Sequence, residues 1–356
     1  MNWRNNLRHV TPYVSGEQPR FSEMIKLNTN ENPYAPSEKI KTLLNSFDLE
    51  LLKRYPNADA DDLRSALARY HEVKREQVFL GNGSDEVLAL SFLSFFNSKS
   101  PILMPEITYS FYPVYCQLFG IPFKKIPLKM NFELDVTDYF EKNGGIVLPN
   151  PNAPTAIALS PEKIEQLLKE NQEGIVIIDE AYIDFGGTSV CPLLEKYDNL
   201  VIVRTFSKSR ALAGIRLGYA LGHPEAIARL YDVKNSFNSY PIDRLTQEIG
   251  LASLNDENYF KKQVEKIIKT RENFQSALQS LKFETTPSQA NFVFVRYPNL
   301  SGETLAQQLR DRKIIVRRFE DHLIKDWLRI TIGTEKEMEE VILSLKEILE
   351  QENEKK

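Results

Sequence analysis

Six short apolar runs, each giving way abruptly to polar residues or to a turn, constrain the fold of this chain more than any other feature. They are Gln77-Val78-Phe79-Leu80, Pro101-Ile102-Leu103-Met104, Gly145-Ile146-Val147-Leu148, Gly174-Ile175-Val176-Ile177-Ile178, Leu200-Val201-Ile202-Val203 and Gly218-Tyr219-Ala220-Leu221-Gly222. Rich in β-forming residues, they read as buried strands. Helical stretches alternate with them: Asp61 to Tyr70 with an acidic first turn, the apolar Val87 to Phe96, and Pro161 to Glu170 behind Ser160. This alternation predicts an α/β fold, a mostly parallel sheet with helices on both faces. Polar groups that follow such strands fall along one edge of the sheet, where ligands bind.

What stands at those strand ends is chemically specific. Leu200 to Val203 leads to Thr205, Ser207, Lys208 and, past a small-residue turn, Arg216. Gly174 to Ile178 leads to Asp179, Glu180, Ala181 and Tyr182, and Pro101 to Met104 leads to Thr108 and Tyr109. Gln77 to Leu80 leads to Gly81-Asn82-Gly83-Ser84-Asp85-Glu86 at a helix start. Free amides and the helix dipole make that turn an anion site. Glu86 stands where a dinucleotide fingerprint has its third glycine, which disfavours a nicotinamide enzyme. A strand-end lysine can form a Schiff base with an aldehyde, and pyridoxal phosphate is the common aldehyde cofactor. That cofactor also requires an acid at its ring nitrogen, donors for its phosphate, an aromatic against its ring and a donor to its phenolic oxygen. Lys208, Asp179, Ser207 with Arg216 and the Gly-rich turn, Tyr109 and Tyr182 match these needs. Asp179 follows four apolar residues, so burial and a need for a cationic partner are expected. Singly, each of these residues reads as ordinary: a solvated lysine, a helix-capping aspartate, core tyrosines.

At 356 residues the chain suggests about two domains. Residues 1–35, rich in Asn and Pro and without helical or strand period, form an arm; 36–245 form a large cofactor-binding domain; 246–356 form a small α+β domain. The last contains a long charged helical stretch begun at Ile242, the strands Asn291 to Val295, Ile314 to Val316 and Leu328 to Ile332, and helices at Gly302 to Lys313 and Glu335 to Glu350. A net charge of −4 argues against a nucleic-acid or anionic-membrane surface. No apolar run is long enough to span a bilayer. The first residues, Met1 to Asn6, lack the apolar core of a signal peptide, so a cytoplasmic protein with Cys116 and Cys191 reduced is expected. His9, His71, His223 and His322 have no metal-ligand spacing, and no metal is expected.

The segments NPNAPT (150–155), IVIIDEAY (175–182), TFSKSRALAGIRLGY (205–219) and LRITIG (328–333) resemble the aspartate-aminotransferase superfamily of fold type I pyridoxal-phosphate enzymes. LNTNENPY (27–34), RYPN (54–57) and GNGSDE (81–86) extend the resemblance over nearly the whole chain, and the histidinol-phosphate aminotransferase family is the nearest in motif. The resemblance implies a transaminase that interconverts histidinol phosphate and 2-oxoglutarate with imidazole acetol phosphate and glutamate. It makes Lys208 the Schiff-base lysine and proton shuttle, Asp179 the partner of the ring nitrogen, Tyr182 the neighbour of the phenolic oxygen and Tyr109 the stacking ring. Gly83, Ser84 and Asp85 become the phosphate loop. Asp85 is expected to act through its backbone amide, because a carboxylate beside a phosphate is unfavourable. Ser207 and Arg216 hold the phosphate, and Tyr55 reaches the cofactor phosphate of the partner in a homodimer with shared active sites. Arg329 forms a bidentate pair with the carboxylate of glutamate or 2-oxoglutarate. Tyr13 and Arg317 handle the substrate's phosphate end, and Arg318 falls on the opposite face of its strand. Asn30 and Asn291 match motif positions without an assigned contact. Two departures stand out. The family reads NPNNPTG where this chain has Ala153 and Ala156, and SKAFGLAG where it has SKSRALAG. A methyl at 153 cannot donate to the phenolic oxygen; Asn152, a water, or Tyr182 alone takes that role. The rival readings are an aromatic amino acid aminotransferase, a phosphothreonine-type decarboxylase and a non-catalytic pyridoxal-phosphate-binding regulatory module.

Overall fold

The described residues, 2–18 and 23–354 of a computed structural model, build two sheets. The strands in chain order are β1 (Ile25–Leu27), β2 (Val78–Asn82), β3 (Ile102–Pro105), β4 (Phe123–Ile126), β5 (Ile146–Pro149), β6 (Val176–Asp179), β7 (Leu200–Thr205), β8 (Leu217–Gly222), β9 (Glu284–Thr285), β10 (Phe292–Arg296), β11 (Ile314–Arg318) and β12 (Leu328–Thr331). The helices are α1 (Glu38–Asn45), α2 (Asp61–Tyr70), α3 (Gly83–Phe95), α4 (Phe111–Phe119), α5 (Pro161–Glu170), α6 (Pro224–Phe237), α7 (Arg244–Leu254), α8 (Glu257–Ser280), α9 (Gly302–Asp311) and α10 (Glu335–Glu354). Among the described residues, no helix is long and apolar enough to cross a membrane.

The larger sheet has the order β2-β8-β7-β6-β5-β3-β4. All its pairings are parallel except those of β8, which runs antiparallel to β2 and β7. The period of two along each strand distributes one apolar run to two layers. Val176, Ile178, Leu200 and Ile202 pack in one core; Ile177, Val201 and Val203 pack in another on the opposite face. Ile177 is fully buried there, and truncating it to alanine costs about 2–5 kcal/mol. The same alternation turns Asp179 toward the face of Ile177 and Glu180 toward the face of Ile178, which later separates their roles. α5 covers the first layer with Ile164, Leu167 and Leu168, an i, i+3, i+4 stripe. α4 stops at Gly120, whose φ of +72° suits the left-handed cap that glycine adopts without strain.

The smaller sheet has the order β1-β11-β12-β10-β9. Here the arm departs from expectation. Ile25–Leu27 pairs in parallel with Ile314–Val316 and so becomes an edge strand of the distant sheet. Three residues are too few to display a period, so only the tertiary pairing reveals the strand. The helical stretch after Ile242 is likewise divided, because α7 ends at Leu254, capped by Asn255, and α8 starts afresh at Glu257. α8 buries Val264, Ile267, Thr270, Arg271, Phe274 and Leu278 at helical spacing against the smaller sheet's core.

Candidate active site

The carboxyl ends of β5, β6 and β7 and the start of α3 open into one cavity, roofed by Asn28 to Glu31 of the arm and flanked by Arg317 and Arg329 of the smaller sheet. Each side chain arrives there for a local reason.

β7 ends at Thr205, whose hydroxyl accepts the Ser207 amide at 3.0 Å. The Asn32 amide donates to the carbonyls of Lys208 and Ser209 at 3.1 and 3.2 Å. The turn is therefore fixed from both sides, and Lys208 projects into the cavity. Its Nζ donates to the Thr29 carbonyl at 3.1 Å, its one hydrogen bond among the described residues. Burial pushes its pKa down from 10.5 to about 8, and the positive charge of Arg329 adds to the effect. A neutral, nucleophilic amine is thus accessible close to neutrality.

Asp179 ends β6 and is 5% exposed. Tyr112 donates its hydroxyl to Oδ2 at 2.9 Å and the Ala181 amide donates to Oδ1 at 3.1 Å. Among the described residues, no cation lies within ion-pair distance of it. Desolvation raises its pKa from 3.8 to about 6, against the lowering by those two donors. A buried carboxylate in that state lacks a positive partner.

The turn before α3 forms the third wall. Gly83 has φ +78°, which glycine adopts without strain, and a Cβ built there would stand 2.5 Å from an Arg216 nitrogen, so a side chain would displace the guanidinium. Arg216 donates to Asp85 Oδ2 at 3.1 Å and to Ser207 Oγ at 3.5 Å. The Tyr109 hydroxyl donates to Asp85 Oδ1 at 2.8 Å. Asp85 therefore presents its carboxylate: a guanidinium and a phenol satisfy it, a role the motif alone did not signal. Ser84 lines the cavity beside it.

Tyr182 is reached from the arm. Asn30 Nδ2 donates to its hydroxyl at 3.0 Å, while Thr331 donates to Asn30 Oδ1 at 3.0 Å and Asn291 to the Asn30 carbonyl at 3.0 Å. That network gives Asn30 and Asn291 the contacts that sequence left open. Arg317 and Arg329 are opposite one another in the β11–β12 register, so both face the cavity. Arg329 spends Nη2 on the Asn28 carbonyl at 2.9 Å and leaves Nε buried without a partner. Burial lowers its pKa, yet it stays a cation. Arg318 turns away to Glu320, as alternation requires. Tyr13 lines the cavity and stacks on Phe111, with centroids 4.5 Å apart.

Asn152 and Tyr55 do not line this cavity, and Tyr55 was expected at the site of a partner. Asn152 donates to the Ile107 carbonyl at 3.0 Å and to Thr155 Oγ1 at 2.9 Å, so its amide holds the loop, while Ala153 lines the cavity. Tyr55 is 80% exposed, outside the cavity, with its ring stacked on Tyr240 at 4.8 Å. Sequence reasoning missed Tyr112 and Thr29. Tyr112 follows Tyr109 by three residues at a helix start, a spacing that could have flagged it; Thr29 acts through its carbonyl and gave no signal.

The residues present fit pyridoxal phosphate. Among the described residues, Asp179 lacks the cation that a protonated ring nitrogen is, and Lys208 Nζ has only the Thr29 carbonyl as a hydrogen-bond partner; Ser84, Ser207 and Arg216 surround a cradle at a helix start. The chain belongs to the class I and II aminotransferases, whose family model matches residues 22–345. A histidinol-phosphate aminotransferase of Lactococcus lactis subsp. cremoris (strain MG1363) is 61% identical over 349 residues, which cover 98% of each chain. The crystal structure of the histidinol-phosphate aminotransferase from Clostridium acetobutylicum superimposes with a TM-score of 0.85 at 27% identity, covering 91% of this chain and 99% of that one. The Sinorhizobium meliloti enzyme of the same name, solved in complex with pyridoxal-5'-phosphate, shares the fold with a TM-score of 0.84 at 21% identity, covering 92% and 91%.

Proposed function

We propose that this protein is a histidinol-phosphate aminotransferase, exchanging amine and keto groups between histidinol phosphate and 2-oxoglutarate through pyridoxal phosphate. The observation that carries the substrate assignment is the register of Arg317 against Arg329, which turns two guanidinium groups into the cavity that contains Lys208. Such a pair suits a phosphate in one half-reaction and a carboxylate in the other.

When bound, pyridoxal phosphate supplies a carbonyl carbon for the lysine amine and a ring that accepts electrons. Asp179 holds the ring nitrogen and gains there the positive partner it lacks. Ser84, Ser207 and Arg216 hold the phosphate, with the Gly83 turn allowing the guanidinium its approach and the Asp85 carboxylate orienting it. Tyr109 packs on the ring face. Tyr182, oriented by Asn30, donates to the phenolic oxygen, and the methyl of Ala153 leaves that task to it. Lys208, its pKa lowered by burial toward neutrality, would act as the base at the substrate α-carbon, taking a proton and returning one. Tyr13 and Arg317 receive the phosphate end of the substrate, and Arg329 the carboxylate of glutamate. A homodimer is part of this reading: Tyr55, exposed and outside its own cavity, is available to the cofactor phosphate of a second copy. The cytoplasm is the proposed location, with Cys116 and Cys191 as free thiols.

Steady-state turnover with histidinol phosphate and 2-oxoglutarate tests the assignment against phenylalanine as donor, with carbon dioxide release monitored in parallel. Preference for histidinol phosphate without carbon dioxide supports it. Preference for phenylalanine, or decarboxylation of a phosphorylated amino acid, overturns it.

A further inference from the structure

Beneath the cavity, on the opposite face of the larger sheet, lies a second set of buried and half-buried charges that takes no part in the roles above. Glu180 follows Asp179 and points the other way, 1% exposed, accepting from Ser189 Oγ at 2.7 Å and the Val190 amide at 2.8 Å. Arg204, 8% exposed near the end of β7, pairs with Glu180 at 3.8 Å and makes a hydrogen-bonded ion pair with Asp184. Asp184 also accepts the hydroxyl of Ser209 at 2.5 Å, and Ser209 is the residue after Lys208. Burial works against the charge on Asp184, but Arg204, the Ser209 hydroxyl, Arg210 and His71 together outweigh it and hold its carboxyl below the usual carboxylate range.

The two loops that carry the cofactor-facing groups therefore share one construction. In each, a residue that faces the cavity is followed by one that faces underneath: Asp179 by Glu180, Lys208 by Ser209. The undersides are joined through Arg204 and Asp184. Burying Glu180 and Arg204 is costly unless they are paired and hydrogen-bonded, and the half-buried Asp184 completes the pairing. An apolar layer would hold the strands equally well but would not fix one loop against the other. We propose that Asp184, with Arg204 and Glu180, is a positioning unit: it registers Lys208 against Asp179 by gripping the Ser209 hydroxyl from below. This rests on Lys208 and Asp179 being the reacting lysine and the ring acid.

The test uses holoenzyme variants at Ser209, because removing a hydroxyl leaves the Asp184–Arg204 pair intact. Three properties are read: kcat, the circular dichroism of the cofactor's visible band, and the melting temperature. The dichroism reports how Lys208 sits relative to the ring above Asp179 and does not follow global stability. Ser209→Ala is expected to lower kcat roughly tenfold, as a small misplacement of a reacting group does, and to change the dichroic band; Ser209→Thr, which keeps the hydroxyl, is expected to restore both. Asp184→Asn is expected to act in the same direction and more strongly. Should Asp184→Asn fail to fold, the Ser209 pair decides alone. An unchanged kcat and band in Ser209→Ala, with or without a lower melting temperature, would overturn the proposal, as would a folded Ser209→Thr that behaves like the alanine variant. If the visible band is absent from the unaltered protein, the assignment of Lys208 fails instead, which separates the two readings.

Discussion

Replacing Asp179 by asparagine should make the cofactor-free protein more stable and the enzyme far worse. In the folded chain this carboxyl has its pKa raised from 3.8 to about 6, chiefly by burial. Between those values the folded state holds a proton that the unfolded state has released, so stability falls as pH rises through that window. Above pH 6 the penalty is complete and amounts to about 3 kcal/mol; below pH 4 it vanishes. Asparagine keeps the shape and carries no charge. Its amide oxygen can accept from the Ala181 amide, and the Tyr112 hydroxyl can turn to accept from its nitrogen. Thermal unfolding of the cofactor-free proteins at pH 4, 6 and 8 reads the difference. Asp179→Asn should melt higher than the unaltered protein at pH 8, by a few degrees, and the two should converge at pH 4. With cofactor the sign reverses, because the carboxylate then has the cationic partner it lacked. Losing one member of such a buried pair costs about 3–5 kcal/mol, so turnover should fall by at least roughly a hundredfold. Parallel pH dependence of the two cofactor-free proteins would refute the reasoning, since it would mean that Asp179 is neither desolvated nor unpaired.

Other outcomes follow from the same geometry. The rate at which cofactor-free protein takes up pyridoxal phosphate should rise about tenfold per pH unit at low pH and level off near pH 8, because only the neutral amine of Lys208 reacts; a rate still climbing at pH 10 would contradict the desolvated setting of that lysine. Arg329→Lys retains the charge but loses the fork, of which Nη2 alone is committed within the protein. Its kcat/KM for glutamate should drop roughly 10–100-fold, the worth of a charge-assisted hydrogen bond. Ala153→Asn places an amide in the wall of the cavity. The absorbance-monitored ionisation of the bound cofactor should move to lower pH, and an unmoved titration would show that the amide does not reach the phenolic oxygen.

The parts of this molecule that sequence made legible are those with a local cause. Apolar runs ending in Asp179 and at Lys208 announced both the parallel sheet and its reactive edge, because a strand buried on both faces cannot hide its composition. Gly83 followed from the anion turn, and Arg317 and Arg318 from alternation. What stayed hidden depends on distant pairing. β4 reads Phe-Lys-Lys-Ile with both lysines exposed, an edge strand without an apolar run. β1 exists only through its partner at the far end of the chain. Tyr112 as the donor to Asp179, Thr29 as the acceptor of Lys208 and Asn30 as the holder of Tyr182 are set by tertiary contacts. Asn152 kept its residue type but not its direction, since the Ile107 carbonyl claims its amide. Glu180 and Arg204 sit within conspicuous motifs, yet face the side of the sheet that the motif logic does not address.

The central claim is that the amine of Lys208 carries the cofactor. Borohydride reduction of the purified holoenzyme, followed by digestion and mass mapping, addresses it directly. A single pyridoxyl adduct on the peptide containing Lys208 is the expected result. A colourless protein, or an adduct confined to other lysines with Lys208 unlabelled, would contradict it.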